Sequence, residues 1–314
     1  MKNRTYKLTS NYGFTIVELL VTVVIIGILV SITIVSYTNI TLKANQAALQ
    51  SDLSNAKTQL AVYQAENGTY PTKLDNSNCP QLPKPDTNYC LKPSNDTTLD
   101  YSPVSANDFN LRATKNNQTY FITSNTSPAD DADNWITVGN QKWAKTNANV
   151  GTMVTGTTAQ TNNSILEKYC YNNNEANCTT YGVLYQWDEA MQYVVTEGVK
   201  GICPVNSHIP SDGELKTLEM YLGMTQAQAD ATDWRGTDQG TKIKTNGTSG
   251  LNLPLAGYRY TDGLFYDLSS DANLWSSSES GTSAWYRDLG SGYATVRRYP
   301  DTKAYGFSVR CLGN

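Results

Sequence analysis

Residues 13–20 read GFTIVELL and stand between a basic leader and a long apolar segment. From residue 14 to residue 37, Glu18 is the only residue that is charged at neutral pH. About 20 apolar residues span the hydrocarbon core of a bilayer, and a basic leader favours an amino terminus that stays in the cytoplasm. The sequence therefore predicts one transmembrane helix over residues 14–37. The cations of the leader, residues 1–13, are Lys2, Arg4 and Lys7.

The order of leader and apolar segment points to a specific kind of processing. A secretory signal peptide is cleaved after its apolar region, whereas Gly13-Phe14 lies before it. This arrangement resembles the prepilin leader of type IV pilins and type II secretion pseudopilins, over residues 7–37. The resemblance implies that a prepilin peptidase cleaves between Gly13 and Phe14 and methylates the new amino terminus of Phe14. It also implies that Glu18 pairs with the terminal amine of another pilin subunit during assembly.

A simple membrane anchor is the alternative for this segment. In that case Glu18 lies at the level of the lipid headgroups and has no role in assembly. Charged residues within a membrane span are costly and are usually functional. We prefer the assembly role that the resemblance implies for Glu18, because Gly13, Phe14 and Glu18 all fall at the offsets of the prepilin motif.

Composition limits the partners of the exported part. The chain of 314 residues has room for two domains. Loss of the leader lowers the number of Lys and Arg residues from 24 to 21 against 28 Asp and Glu, which leaves a formal charge of −7. Nucleic-acid-binding domains usually carry a basic face, and the longest basic patch here is Arg297-Arg298. We expect no nucleic-acid partner.

Residues 38–125 are predicted to form a pilin-like module, a long helix followed by a small antiparallel sheet. The helix has no proline and ends at Asn67-Gly68, before Pro71. Segments 99–104, 109–115 and 118–124 have strand character, and Asn116-Asn117 between the last two is typical of a hairpin turn. The apolar stripe of the helix, which must be buried, consists of Leu42, Leu49, Leu53, Ala56, Leu60 and Tyr63.

A second domain is predicted over residues 135–314, after a polar, acidic linker at 126–134. The sequence reads GICPVNSHIPSDGE at 201–214, LWSSSES at 274–280 and YGFSVRC at 305–311. These motifs resemble the Fibrobacter succinogenes major paralogous domain, with matches over nearly all of the second half. The resemblance implies a C-type lectin-like α+β fold, shared with sulfatase-modifying factors.

The six cysteines lie beyond the apolar segment, as expected of disulfides in an exported region. Sequence alone leaves fifteen connectivities open. Proximity in the chain favours Cys79 with Cys90 and Cys170 with Cys178, which leaves Cys203 with Cys311. The family resemblance implies the last pair as well. Zinc is the competing interpretation, but the chain has one histidine and no closely spaced cysteine pair.

Two helices are expected in the second domain. Apolar residues recur at helical spacing over residues 186–196, and Ser211 with Glu214 forms a capping box that begins another helix. The remaining sequence predicts short strands and many turns. The complete chain is thus predicted to be an α+β protein, with a long transmembrane helix and a pilin-like antiparallel sheet before a lectin-like domain.

Catalysis is not expected. A serine or cysteine nucleophile needs a neighbouring base, and the only histidine, His208, lies where a strand leads into the Ser211 helix. We interpret His208 as structural. We expect no enzymatic activity.

Ligand binding is a better hypothesis for the second domain, because aromatic side chains beside carboxylates suit the recognition of sugars. A glycan or a surface protein is the expected ligand class. The aspartate-rich loops could also hold calcium, although they show no ordered ligand spacing. The candidate contacts are Tyr258, Tyr260, Asp262, Tyr266, Tyr286 and Arg287.

Three functions are compatible with these features. The first is a type IV pilin-like subunit, in a minor or tip position, that displays the second domain for adhesion. The second is a pseudopilin of a type II secretion or DNA-uptake machine, and the third is a singly anchored surface protein. All three place the chain in the cytoplasmic membrane with its C-terminal domains outside, and the first moves it to a pilus or the cell surface after processing.

Overall fold

The computed structural model describes residues 16–314, without the side chains of residues 31–39 and 133. The helices are α1 (Ile16–Asn67), α2 (Glu175–Tyr181), α3 (Trp187–Ala190), α4 (Asp212–Tyr221), α5 (Gln226–Asp230) and α6 (Gln239–Ile243). The strands are β1 (Lys73–Leu74), β2 (Pro80–Leu82), β3 (Thr98–Ser105), β4 (Asp108–Lys115), β5 (Gln118–Thr123), β6 (Ala129–Asp130), β7 (Trp135–Val138), β8 (Gln141–Ala144), β9 (Thr152–Met153), β10 (Glu167–Lys168), β11 (Ser207–His208), β12 (Asp233–Arg235), β13 (Tyr258–Arg259), β14 (Phe265–Tyr266), β15 (Asp271–Ser280), β16 (Ser283–Gly290), β17 (Val296–Thr302) and β18 (Leu312–Gly313).

The chain divides into two compact units within α1, one ending at Ala48 and the other running from Leu49 to Asn314. In the first unit, Glu18 lies in the first turn of α1, and residues 16–30 and 40–44 are exposed. No helix in the described part is both long and apolar enough to cross a membrane. The predicted leader, together with Gly13 and Phe14, lies outside the described residues.

In the second unit, the C-terminal part of α1 packs on the sheet formed by β3, β4, β5 and β6. We call this sheet the N-terminal sheet. Leu49, Leu53 and Leu60 are at most 1% exposed and join Phe109 in one hydrophobic core. Leu42 is 47% exposed, so its inclusion in the buried stripe was wrong, because the core on the sheet begins at Leu49.

The local signals of this module agree with its structure. Gly68 ends α1 with φ +78°, a conformation that favours glycine, and its amide donates to Gln64 O. The three predicted strands correspond to β3, β4 and β5, which pair antiparallel. Asn116 and Asn117 form the turn with φ 48° and 62°, as a two-residue hairpin requires.

The segment predicted as a linker, residues 126–134, is ordered within the second unit. It contains β6, which pairs with β5, and a 3₁₀ turn at Asp131–Asn134. Asp131 is 6% exposed and accepts hydrogen bonds from Arg112 Nε and Trp135 Nε1. These bonds connect the N-terminal sheet directly to the first strand of the following domain.

Strand β3 forms a second connection to the rest of the unit, residues 135–314, which we call the head. Asp100 accepts from Lys200 Nζ at 3.1 Å and from the Val205 amide at 3.0 Å. Lys168, which is fully buried, donates to Val104 O at 2.6 Å. Domains joined only by a linker move relative to each other, whereas these bonds hold the head against the sheet.

The head contains two four-stranded sheets among its described residues. One has the order β11-β18-β8-β7 and the other β12-β17-β16-β15. In the first, Leu312 near the end of the chain pairs with Trp143 in β8 and with His208 in β11. The last strand, β18, therefore lies in the same sheet as β7 and β8, the first strands of the head.

Helix α4 is bound to the second sheet by a buried network of charges, which we call the arginine network. Arg287 donates to Asp212 Oδ1 at 2.8 Å and to Glu219 Oε1 at 2.6 Å. Arg298 pairs with Asp212 at 2.7 Å, and Arg235 pairs with Glu219 at 2.5 Å. Each carboxylate thus bridges two strands of the sheet to the helix.

The predicted helices of the head are found in part. Helix α4 begins with the capping box of Ser211 and Glu214 that the sequence indicates. The helix expected over residues 186–196 is wrong beyond its first turn, since α3 ends at Ala190. Gln192 and Tyr193 follow with φ 53° and 59°, a conformation that stops a right-handed helix.

Replacement of Asp212 tests the arginine network. Burial alone raises the pKa of Asp212, but hydrogen bonds and charge from Arg298 and Arg287 outweigh it and lower the pKa to about 2. We expect Asp212→Ala to lower the free energy of unfolding by about 3–5 kcal/mol, because it leaves buried Arg298 without a carboxylate and Arg287 with Glu219 alone. Chemical denaturation at neutral pH measures this change.

Asp233→Asn is the matched control, since Asp233 forms an ion pair with Arg297 while its side chain is 64% exposed, and asparagine tolerates the left-handed backbone of this position, φ 63°. It should cost less than about 1 kcal/mol. Because the pKa of Asp212 is depressed, its contribution is present above pH 4 and is lost as the pH falls towards 2. Equal destabilisation by the two variants would contradict the role of the network.

Candidate functional site

Three disulfide bonds organise the second unit. They join Cys79 to Cys90, Cys170 to Cys178 and Cys203 to Cys311, which are the pairs expected from the sequence. The last closes a separation of 108 residues and links the segment before β11 to the segment before β18. Disulfides that close long loops constrain the unfolded chain most.

His208 is held by its neighbours rather than presented to a substrate. Its Nε2 lies 3.0 Å from Glu214 Oε1, and its Nδ1 lies 2.6 Å from Asn314 Oδ1. Glu214 also accepts from Ser211 in the capping box. This arrangement fits the structural interpretation of His208.

Four of the predicted ligand contacts come together on the hairpin of β13 and β14. The rings of Tyr258 and Tyr266 are 5.8 Å apart, and those of Tyr260 and Tyr266 are 6.1 Å apart. Tyr305, from the segment after β17, lies 5.0 Å from Tyr260. Tyr260 and Tyr266 are 39% and 37% exposed. We call Tyr258, Tyr260, Tyr266 and Tyr305 the tyrosine surface.

The turn of this hairpin fixes the carboxylate beside the rings. Gly263 has φ +88°, and Asp262 accepts from the Leu264 amide and from the Tyr266 hydroxyl at 2.8 and 2.9 Å. Beneath the hairpin, buried Arg259 donates to Gly156 O at 2.8 Å and Ala304 O at 2.9 Å. A polar aromatic surface is therefore held on a rigid base.

Carboxylates lie next to this surface, with Asp262 beside Tyr266 and Asp267 beside Tyr258. Burial and the neighbouring Asp267 raise the pKa of Tyr258 to about 12. Asp288 is 8% exposed, and its Oδ1 has no hydrogen-bond partner in the described part of the chain. Burial, followed by the charge of Asp271, raises its pKa to about 7. The region is thus acidic and would favour a neutral or cationic ligand.

Two of the predicted contacts are wrong. Arg287 is 2% exposed because it belongs to the arginine network. Tyr286 is 4% exposed and packs against Trp275 and Phe307 in the core. They fail for one reason: successive residues of β16 point to opposite faces of its sheet, and both faces are covered.

A groove that the sequence did not reveal lies where the head meets the N-terminal sheet. Its volume is about 430 Å³. Charged and aromatic groups from both sides line it, including Lys73, Asp75, Asp100, Glu189, Tyr193 and Lys200. Pockets often form where domains meet, so this junction groove is a second candidate site.

Glu189 and Tyr193 form the head side of the junction groove. The Tyr193 hydroxyl donates to Glu189 Oε2 at 2.7 Å, and the Glu167 amide donates to Oε1 at 2.7 Å. Burial raises the pKa of Glu189. The left-handed turn at Gln192-Tyr193 brings Tyr193 back to Glu189. Asparagine and glycine usually mark such turns, so no local signal indicated this one.

Among the described residues, no cluster of potential metal ligands lies at the tyrosine surface. Among the side chains that the structure describes, one group of three potential metal ligands converges, namely Cys170, Glu175 and Cys178. Its two cysteines are joined in a disulfide, which removes their thiolates as ligands. The aspartates near the tyrosine surface are not part of such a group.

Two known family models match separate parts of the sequence. The model of the Fibrobacter succinogenes major domain matches residues 136–312, more than half of the 314 residues. The chain belongs to this family. The model of the prokaryotic N-terminal methylation motif matches residues 8–34. No curated protein and no solved structure gives a match.

The Fibrobacter succinogenes major domain therefore corresponds to nearly the whole head. The matched residues include the cysteines of the longest disulfide, the arginine network and the tyrosine surface. The methylation motif covers the Gly13-Phe14 junction and Glu18. It supports a type IV pilin-like or pseudopilin subunit, which implies processing by a prepilin peptidase and assembly with other pilin subunits.

The unusual carboxyl group of Asp288 predicts a pH-dependent stability. Its pKa is near 7 in the folded chain, well above the ordinary value of 3.8, so the folded state binds more protons between these values. Stability from this group is greatest below pH 4 and decreases as the pH rises to 7, by at most about 1.4 kcal/mol per pH unit.

Asp288→Asn should therefore unfold at a higher temperature than the parent at pH 8, with the difference closing as the pH falls towards 4. Thermal unfolding followed by circular dichroism over this pH range measures it. Asp238→Asn, at an exposed ion pair with Lys242, is the control and should show no such trend. A difference for Asp288→Asn that does not change with pH would contradict the assignment.

Proposed function

We propose that this chain is a subunit of a type IV pilin-like filament, in a minor or tip position, and that it displays the head as a binding domain. The observation that carries the proposal is the methylation motif at residues 8–34 in the same chain as a Fibrobacter succinogenes major domain. The motif concerns processing and assembly. The proposed role of the head in the same subunit is ligand binding.

The proposed anchor is the N-terminal part of α1. Residues 16–30 expose one apolar side chain after another, and such a surface needs a lipid or protein partner. We propose that this segment lies in the cytoplasmic membrane before assembly and between subunits afterwards. Glu18 is the proposed partner of a neighbouring subunit's methylated amino terminus.

The size and attachment of the head favour a minor or tip position. The head has about 180 residues and is held to the N-terminal sheet through Asp100, Asp131 and Lys168. A repeating subunit of a dense fibre would have to accommodate this bulk at every position. A subunit at the tip meets no such restriction and would carry the head in a fixed orientation.

For the head we propose a C-type lectin-like, non-enzymatic domain that binds a glycan or a glycosylated surface protein. The tyrosine surface supports this role, because Tyr260 and Tyr266 offer exposed ring faces next to the Asp262 carboxylate. Aromatic rings provide contact area at a low cost in conformational entropy. Nucleic acid is not a proposed ligand, since the Asp262 and Asp267 carboxylates lie beside this surface.

Processing and assembly can be tested separately. Mass spectrometry of the processed protein should find N-methylphenylalanine at Phe14, and an intact Met1 in peptidase-competent cells would contradict the proposal. Glu18→Ala should be processed normally but should be lost from purified filaments, at least tenfold relative to the parent. Glu66→Ala, a change of an exposed carboxylate on the same helix, should enter filaments normally.

The location of the protein distinguishes the related functions. Immunogold labelling at filament ends supports the minor or tip role. Labelling confined to the envelope, together with a secretion defect on deletion, would instead indicate a pseudopilin. If Glu18→Ala does not change the location of the protein, the helix is a simple surface anchor.

Ligand binding can be tested on the full-length protein in detergent. A glycan array, read with and without calcium, should identify a ligand, and Tyr260→Ala combined with Tyr266→Ala should weaken its binding at least tenfold. Tyr299→Ala is the control, because Tyr299 is 43% exposed but lies on β17 outside the tyrosine surface. Binding that survives the double change would exclude the tyrosine surface as the site.

A further inference from the structure

A buried lysine of the head lies against a side-chain amide. Lys168 is fully buried, and its Nζ lies 3.1 Å from Asn149 Oδ1. Its other neighbours are Val104 O at 2.6 Å and Glu175 Oε2 at 3.4 Å. One amine, one amide and one carboxyl group therefore meet at a single point in the head.

The surroundings shift the protonation of Lys168 toward the neutral amine. Burial lowers the pKa of Lys168, and this effect outweighs the charge and the hydrogen bond of Glu175, which raise it. A neutral amine carries the free electron pair that a nucleophile needs, and desolvation is one of the ways in which lysine is activated.

The amide carbon of Asn149 is within reach of this amine. A C=O bond is about 1.23 Å long, so Cγ lies at most about 4.3 Å from Nζ, against ~3–3.5 Å in a reactive approach. Asn149 is also held in place, because its Nδ2 donates to Cys178 O at 3.1 Å. Cys178 forms a disulfide with Cys170, two residues after Lys168, so this bond fixes both partners.

Glu175 is placed to move a proton between them. It is the first residue of α2, and its side chain is 45% exposed, so its carboxylate reaches both the buried Nζ and the solvent. Asn149 and Cys178 also line a cavity of about 450 Å³. This cavity offers a small leaving group a way out of the interior.

We propose that Lys168 and Asn149 join in an intramolecular isopeptide bond with the release of ammonia. The electron pair of the neutral Nζ attacks Asn149 Cγ, and the Glu175 carboxylate accepts one proton from Nζ. Glu175 then donates this proton to Nδ2, the Cγ–Nδ2 bond breaks, and ammonia leaves. The reaction needs no oxidant or cofactor, and the one N–H of the new amide still donates to Val104 O.

Mass spectrometry of the full-length protein, purified in detergent and then reduced and unfolded, tests the bond. Its mass should be lower than that of the processed sequence by one ammonia. Trypsin cleaves after lysines with a free amine, so Lys168 should resist cleavage and leave one peptide of residues 146–200. Separate peptides of residues 146–168 and 169–200 would overturn the proposal, even if ammonia had been lost.

Variants test the role of each group. Lys168→Arg keeps a positive charge but should have the mass of the unmodified sequence. Glu175→Gln should form the bond at least tenfold more slowly after synthesis, whereas Asp188→Asn should form it at the parent rate. Asp188 is the matched control, since it is an exposed carboxylate that pairs with Lys303.

A parent rate in Glu175→Gln would overturn the proposed proton transfer. Circular dichroism of each variant shows whether it is folded. If Lys168→Arg does not fold, the mass and the peptides of the parent still decide whether the bond exists.

Discussion

The fold of the head depends on the pairing of two buried carboxylates with three arginines. Asp212 and Glu219 lie one above the other on α4, and their partners come from β12, β16 and β17. Since each unpaired charge would be costly in this interior, the helix can occupy one position on the sheet. Hydrophobic packing alone tolerates small shifts of a helix, whereas these hydrogen bonds do not.

This constraint extends to the surroundings of the candidate sites. Ser211 caps helix α4, and the first turn of the helix holds His208 through Glu214. His208 is in β11, which pairs with β18 just after Cys311 of the longest disulfide. On the other side, β15 and β16 carry the core against which the segment of Tyr305 packs. The tyrosine surface is therefore attached through Tyr258 and Tyr305 to the core that these strands carry.

The attachment of the head to the N-terminal sheet has a consequence for assembly. A head on a flexible linker would sample many orientations, and a pull on its ligand would first straighten the linker. Here the hydrogen bonds of Asp100, Asp131 and Lys168 hold the head in one orientation on the N-terminal sheet.

Local signals in the sequence predicted much of the chain. The N-terminal strands, the Asn116-Asn117 turn, the end of α1 at Gly68 and the capping box of α4 each depend on a few neighbouring residues, and each is present. The predicted helix over 186–196 failed because Gln192 and Tyr193 adopt a left-handed conformation. Glu189, which accepts from Tyr193, is itself held by the amide of Glu167, which is distant in sequence. Similarly, polar composition indicated a linker at 126–134, but Asp131 is buried and pairs with Arg112 on β4, a partner distant in sequence.

By itself, the sequence determined the processing motif, the order of helix and sheet, and the family of the second domain, because these features are encoded in short contiguous stretches. The tertiary structure decided which of the predicted contacts are accessible. Arg287 resembles a binding residue in the sequence, yet it is an interior ion-pair partner, whereas Tyr260 and Tyr266 remain exposed on their hairpin. Burial depends on the residues that fold over a side chain from far along the chain, and no local pattern records them.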